Sequence, residues 1–214
     1  MRRGVVRAGM REAGAPRGGE RIRSFVAVDL DPQVLEALSH LQAELAACGA
    51  DVRWVRPGGM HLTLKFLGPV LPADLERVHA ALRDAVRGRA PLTVATRGLG
   101  AFPSWQRPRV IWAGLAGDGL VELATTVETA LVQLGFAAEA RGFAPHVTLG
   151  RVNSQRGWPR LAAVLDTHRE DDFGSTAVGA VRIYRSVLHP EGAQYSVLWA
   201  IPLNADAVRC REEA

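Results

Sequence analysis

Two four-residue stretches constrain this chain more than anything else in it: His61-Leu62-Thr63-Leu64 and His146-Val147-Thr148-Leu149. Each reads histidine, apolar residue, threonine, leucine. Side chains in a strand alternate between faces. Within each stretch the histidine and threonine therefore share one face, and the apolar residue between them points the other way, into a core. A chain carrying two such strands must build half-buried sheet around both and keep both polar faces accessible.

The surrounding pattern supplies the rest of the elements. The folded part is expected to begin at Ile22 or Arg23, with a strand over 23–29. Asp31-Pro32 signals a helix start, with Asp as N-cap and Pro in the first turn. Val34, Leu35, Leu38, Leu41 and Leu45 follow at helical spacing, and Gly49 suits the stop. A short strand is expected over 52–55 and the first motif strand over 60–67. Next come a helix over 72–86, strands over 92–99 and 109–113 joined by an aromatic loop (Phe102-Pro103-Ser104-Trp105), and a helix over 120–134. A strand from Ala137 is expected to lead into the second motif strand over 145–151. A short helix over 159–165 precedes two last strands, 177–188 and 195–203, around a 189–192 turn. Strands and helices mix without strict βαβ alternation, which favours α+β with antiparallel sheets and flanking helices.

At 214 residues the chain can form one compact domain or two small lobes sharing a core. No apolar run reaches the ~20 residues needed to span a bilayer, and the basic N-terminus lacks the apolar segment of a secretory signal. Cys48 and Cys210 form no metal-like CxxC, so a reduced, cytoplasmic compartment is expected. The pI of about 9.8 invites a nucleic-acid reading. Its source is local, however: six arginines against two glutamates in residues 1–21 account for the whole net charge of +4. The expected organisation is a disordered basic tail over 1–21 and a single domain over 22–214. Lys65 is the only lysine in the sequence.

Two imidazoles, with ordinary pKa near 6.5, can serve as acid and base, and two hydroxyls can hold a charged phosphate. That set suits hydrolysis of a strained cyclic phosphodiester bridging neighbouring ribose hydroxyls. A single His-x-Thr says little, because many strands carry one without function. A metal site lacks support: the histidines are far apart in sequence and neither has a carboxylate beside it. No G-x-S-x-G elbow and no Walker A loop are present.

Beyond these motifs, the order of several segments is specific. It runs Arg23-Ser24-Phe25-Val26-Ala27-Val28, His61 to Gly68, Phe102-Pro103, Pro108 to Trp112, Pro145 to Arg151, then Ser186, Pro190-Glu191-Gly192 and Tyr195. On these residues, covering about 23–203, the chain resembles the two-histidine (2H) phosphoesterase superfamily, and within it the RNA 2′,3′-cyclic phosphodiesterase (2′-5′ RNA ligase) family. The resemblance implies a bilobal, pseudo-twofold α+β fold with the histidines in a central cleft. It implies metal-independent opening of RNA 2′,3′-cyclic phosphate ends to 2′-phosphomonoesters, with 2′-5′ ligation as a reverse activity and no cofactor. His61 is then the proton donor, His146 the acceptor that activates water, and Thr63 and Thr148 the phosphate-binding hydroxyls. The expected partners are RNA with 2′,3′-cyclic phosphate ends or small cyclic nucleotides; no membrane is expected, and the protein is expected to be a monomer. A relative acting on 2′-5′ oligonucleotides or ADP-ribose cyclic phosphate would share these residues. A non-catalytic RNA-end binding module is the alternative of a different class; it would not need a paired acid and base.

Three further residues each allow two readings. The family places a phosphate-reaching arginine after its second motif. Strict alternation puts Arg151 on the face opposite His146, unless a bulge at Gly150 re-aims it. The same alternation puts Lys65 on the His61 face, where it either attracts RNA phosphates or sits solvated at a strand end. Phe25 either stacks on a base or belongs to the core. Tyr195 reads as structural, and His40, His79, His168 and His189 as ordinary surface or capping residues.

Overall fold

The computed structural model describes residues 19–189 and 192–204. In chain order these form β1 (Ile22–Val28), α1 (Pro32–Ala47), β2 (Val52–Trp54), a 3₁₀ turn (Pro57–Gly59), β3 (Leu62–Val70) and α2 (Pro72–Ala85). Then follow β4 (Leu92–Phe102), β5 (Val110–Ala116), α3 (Leu120–Gln133), β6 (His146–Val152), α4 (Trp158–Thr167), β7 (Asp172–Val178), β8 (Ala180–His189) and β9 (Gly192–Pro202). Residues 1–18 of the expected tail, Cys210 and the Pro190-Glu191 pair lie outside the described residues. No helix among the described residues is long and apolar enough to cross a membrane.

Three of the four α-helices among the described residues carry proline in their first turn. There its fixed φ is already helical and its missing N–H is not needed. Asp31 stands at the α1 N-cap, but its carboxylate makes no cap bond. It accepts instead from the Ala177 N–H (3.1 Å), while Thr176 Oγ1 accepts from the Asp31 N–H (3.0 Å). The residue that starts the helix thus also fastens it to β7.

All strand pairs are antiparallel and form one sheet in the order β7-β4-β5-β6-β3-β1-β8-β9, with β2 added on β6. The two lobes are the halves of this sheet, β3-β1-β8-β9 and β6-β5-β4-β7. They meet where β3 pairs β6 at one position, Leu62 opposite Val147. The halves also exchange helices. The helix after β1 (α1) packs on β7 of the other half, and the helix after β5 (α3) packs on β3; α2 and α4 stay with β9 and β4 of their own halves. One apolar core runs through both lobes and includes Leu62, Leu64, Val147 and Leu149.

Two expected strands come out differently. Residues 137–145 form no strand. Two of their backbone groups go to side chains: Lys65 Nζ donates to the Ala137 carbonyl (2.8 Å), and the Glu139 N–H donates to Glu128 Oε1 (2.8 Å). The expected 177–188 strand is two strands, broken at Gly179. β7 lies on one edge of the sheet and β8 near the other. A single residue can connect them only because the sheet curls and brings its edges together.

Gly150 illustrates how tightly β2 sits on β6. A Cβ there would lie 2.7 Å from Val52 Cγ1 and 2.9 Å from Trp54 Cε3. Gly150→Ala is therefore expected to destabilise the fold by roughly 1–3 kcal/mol, the usual cost of overpacking. Gly142→Ala, which meets nothing within 4 Å, should be close to neutral. Urea unfolding of the two variants checks this; equal midpoints for Gly150→Ala and the parent would show that β2 yields freely.

Candidate active site

The lobe junction is also where the two motifs meet. Leu62 and Val147 face each other and are fully buried. Directly opposed residues in an antiparallel pair share a face. Extending the register by one residue each way sets His61 opposite Thr148 and Thr63 opposite His146, all on the other face. β2 continues along the same edge of β6, with Trp54 opposite Gly150 and Arg53 opposite Arg151. Between them the chain leaves β6 after Val55, whose N–H still reaches the Leu149 carbonyl (2.9 Å), makes the 3₁₀ turn and returns at His61. Two imidazoles and two hydroxyls thus form a diagonal, pseudo-twofold array on one half-buried surface.

The imidazoles are anchored alike and surrounded differently. His146 Nδ1 lies 2.7 Å from the Ala144 carbonyl. A carbonyl can only accept, so Nδ1 carries the proton and Nε2 is left for chemistry. His61 makes the corresponding bond to the Gly59 carbonyl, again two residues back. His61 lies in an aromatic stack: Phe25 is parallel to it at 4.7 Å between centroids, Tyr184 is parallel to Phe25 at 5.1 Å, and Tyr195 meets both Phe25 and His61 edge-on. Among the described residues His146 has a single aromatic neighbour, Phe102, edge-on at 5.0 Å. Burial pushes the His61 pKa down to about 4, against the opposing pull of the Asp29 carboxylate and the Gly59 bond. Asp29 is itself held by Arg182 (3.0 Å) and by the Tyr184 hydroxyl, which donates to it. Asp29, Tyr184, Tyr195, Leu35 and Met60 line a recess of about 180 Å³ that opens beside His61.

Two bulges decide where the remaining expected residues point. Along β5, Trp112 faces Thr148 and Ile111 faces Gly150, so β6 carries an extra residue, Leu149. Leu149 and Gly150 both lie on the core side, and Arg151, opposite Val110, returns to the face of Thr148. The bulge that could re-aim Arg151 is therefore present. Along β1, Ala27 faces Thr63 and Val26 faces Lys65, so Leu64 is extra in the same way. This corrects the expectation for Lys65. It lies on the core face, buried, with Nζ 2.6 Å from Glu128 Oε2 of α3, and it attracts no phosphate from there. Burial disfavours the Glu128 carboxylate, but the bonds from Lys65 and the Glu139 N–H outweigh it and lower the Glu128 pKa. Phe25 is corrected too. It is 2% exposed, with ring neighbours His61 and Tyr184, so it supports His61 and offers no face to a base. Phe66, opposite Phe25 on the site face, is 62% exposed. Among the described residues no group of three His, Cys, Asp or Glu side chains is arranged to hold a metal.

The family model described as LigT like Phosphoesterase matches residues 28–112. A protein of Methanothermobacter thermautotrophicus named RNA 2′,3′-cyclic phosphodiesterase is 35% identical over 177 residues, covering 82% of this chain and 96% of its own length. The chain belongs to the LigT-like phosphoesterases. A Thermotoga maritima protein of the same name is 32% identical over 190 residues, 88% of this chain and 99% of its own. Among solved structures, one from Thermus thermophilus matches with a TM-score of 0.72 at 29% identity, covering 85% of this chain and 98% of that one. E. coli LigT, crystallised with 3′-AMP, matches with a TM-score of 0.66 at 28% identity over 85% and 99% of the two chains.

Several neighbours of the array in this phosphoesterase have no role that the sequence alone suggests: Asp29, Tyr184, Phe66, Arg53 and the carbonyls of Gly59 and Ala144. Phe66 and Arg151 carry a usable signal. Each stands five residues after its motif histidine, so aligning the two motifs makes them equivalent. Tyr184 lies on β8 and Asp29 just after β1, both distant from His61 in sequence, and no local pattern links them to it.

The buried environment of His61 has a measurable consequence. Its ring should titrate near pH 4 by NMR, well below the ordinary 6.5. The unfolded chain takes up a proton at His61 near 6.5 while the folded one resists until about 4. Stability should therefore fall as pH drops through that interval, and less steeply in His61→Asn. A His61 resonance titrating at 6.5 or above would show that the aromatic stack does not exclude the charged form.

Proposed function

We propose that this LigT-like phosphoesterase hydrolyses RNA 2′,3′-cyclic phosphate ends to 2′-phosphomonoesters, using its own side chains and no metal. The observation that carries the reading is the opposed array at the lobe junction, where each histidine lies across from the other motif's threonine. His146, with Nε2 free, takes a proton from water as its oxygen bonds to phosphorus. The P–O3′ bond breaks, and His61 gives its proton to the departing O3′. Thr63 and Thr148 donate to the non-bridging oxygens, and Arg151 flanks them with its charge. A neutral His61 must be protonated before it acts as an acid. The negative charge of a bound phosphate raises its pKa in that direction, and the Asp29 network adds to the pull. With the 5′-hydroxyl of a second RNA end in place of water, the same groups support 2′-5′ joining. All these residues come from one chain, which fits action as a monomer, and an RNA substrate fits the cytoplasm.

The direct test is incubation with nucleoside 2′,3′-cyclic phosphates in EDTA, with the phosphate position of the product read by NMR. A 2′-phosphate at an undiminished rate is expected; a 3′-phosphate, or loss of the rate with the chelator, rejects the mechanism. His61→Ala and His146→Ala are each expected to lose about 10²–10⁴-fold in kcat, the usual range for general acid–base catalysis. The double variant should be little worse than either single, because the two act as a unit. Comparison of ADP-ribose cyclic phosphate and 2′-5′ oligonucleotides at matched concentration tests the alternative substrates. Tight RNA-end binding without turnover would instead mark a binding module.

A further inference from the structure

Arg53 and Arg151 stand directly opposite one another on β2 and β6. Both are exposed. Their neighbours Val52, Trp54 and Val152 are packed against the core, and Val52 and Trp54 crowd the position of a Gly150 Cβ. The two guanidinium groups therefore leave from the other face, the one that carries His61 and Thr148. Like charges directly opposite on a sheet repel, with Cβ atoms about 5 Å apart. Acidic residues normally relieve such a pair. Among the described residues, neither side chain has a carboxylate or any hydrogen-bond partner, and nearby Asp51 is taken up by Asn153 and Ser154. Two unrelieved arginines beside the His–Thr array suit an anionic group.

We propose that Arg53, with Arg151, binds the internucleotide phosphate on the 5′ side of the terminal nucleotide, so that the enzyme distinguishes an RNA end from a free cyclic nucleotide. The inference rests on the function proposed above and names its substrate class further. Along β6, Arg151 follows Thr148 by two strand repeats, about 7 Å, a spacing comparable to that of successive phosphates in RNA. Arg53 lies one strand further across. Arg151 therefore stands between the phosphate held by Thr63 and Thr148 and the next one of the same strand, and Arg53, a strand further from Thr148, is placed for that next phosphate. The contact is a charge-assisted, bidentate one of the kind arginine favours.

The test compares two substrates that differ only in that phosphate: the dinucleotide UpU ending in a 2′,3′-cyclic phosphate, and the same dinucleotide with an uncharged methylphosphonate linkage. The parent enzyme should prefer the charged linkage by about tenfold in kcat/KM, the scale of one hydrogen bond to a charged group. Arg53→Gln should abolish that preference, and Arg53→Lys should keep part of it. In Arg53→Gln, kcat/KM for the charged dinucleotide should also fall less steeply with salt, because one counterion-releasing contact is gone. Equal loss on both linkages would show that Arg53 only supports the fold, and no loss on either would show no contact; both overturn the proposal. If the parent opens neither substrate, the function proposed above fails. Calorimetric titration of 2′-phosphorylated UpU and its methylphosphonate with parent and Arg53→Gln then decides the subsite without turnover.

Discussion

The site depends on one backbone pairing, Leu62 against Val147. It joins two half-sheets that are otherwise complete, and it fixes the register in which the motifs face each other. Because side chains repeat every second residue, a slip of one position would send a histidine or threonine into the core. The slip is prevented by what lies behind the pair: Leu62, Leu64, Val147 and Leu149 are all buried in the shared core. The exchange of α1 and α3 between the halves ties the junction from the helix side. The apolar residue inside each His-x-Thr therefore matters as much as the polar ones, because it sets where they stand.

Much of this is legible in the sequence. Alternation places His61 with Thr63 and His146 with Thr148, and helical spacing delimits α1 and α2 almost to the residue. The misplaced residues share one cause. Alternation counts residues, and a bulge adds one without a signature of its own. Plain counting assigns Lys65 to the His61 face, but Leu64 interrupts the count; it assigns Arg151 away from the site, but Leu149 interrupts that one. Gly150 hints at the second bulge; nothing in Leu64-Lys65 hints at the first. The 137–145 segment departs for a related reason. It reads as strand, but backbone groups at its start go to Lys65 and Glu128, and a buried lysine's partners cannot be read from its neighbours.

The two halves are built alike but do not present alike environments. His61 is enclosed by Phe25 and Tyr195, with Tyr184 behind Phe25, and is held neutral by burial. Among the described residues His146 meets one ring, Phe102, edge-on. Two equal imidazoles would have no reason to take different proton roles. On the proposed mechanism enclosure supplies the difference, and Asp29, fixed by Arg182 and Tyr184, opposes it by drawing the His61 pKa upward. The aromatic stack is thus part of the electrostatics of the site as well as its packing.

The same asymmetry appears one step further along each motif strand. The equivalent positions after the two bulges are Phe66 and Arg151, an exposed ring on one half and an exposed cation on the other. A strictly twofold site would accept a cyclic phosphate in either direction and would interchange the acid and the base with it. On the proposed reading, an aromatic surface on one side and the Arg53–Arg151 pair on the other remove that degeneracy. On that reading the ring takes a base and the cations a backbone phosphate, so an RNA end has one orientation that satisfies both. On the proposed reading, that orientation determines which ribose oxygen faces His61, and therefore which of the two P–O bonds is broken.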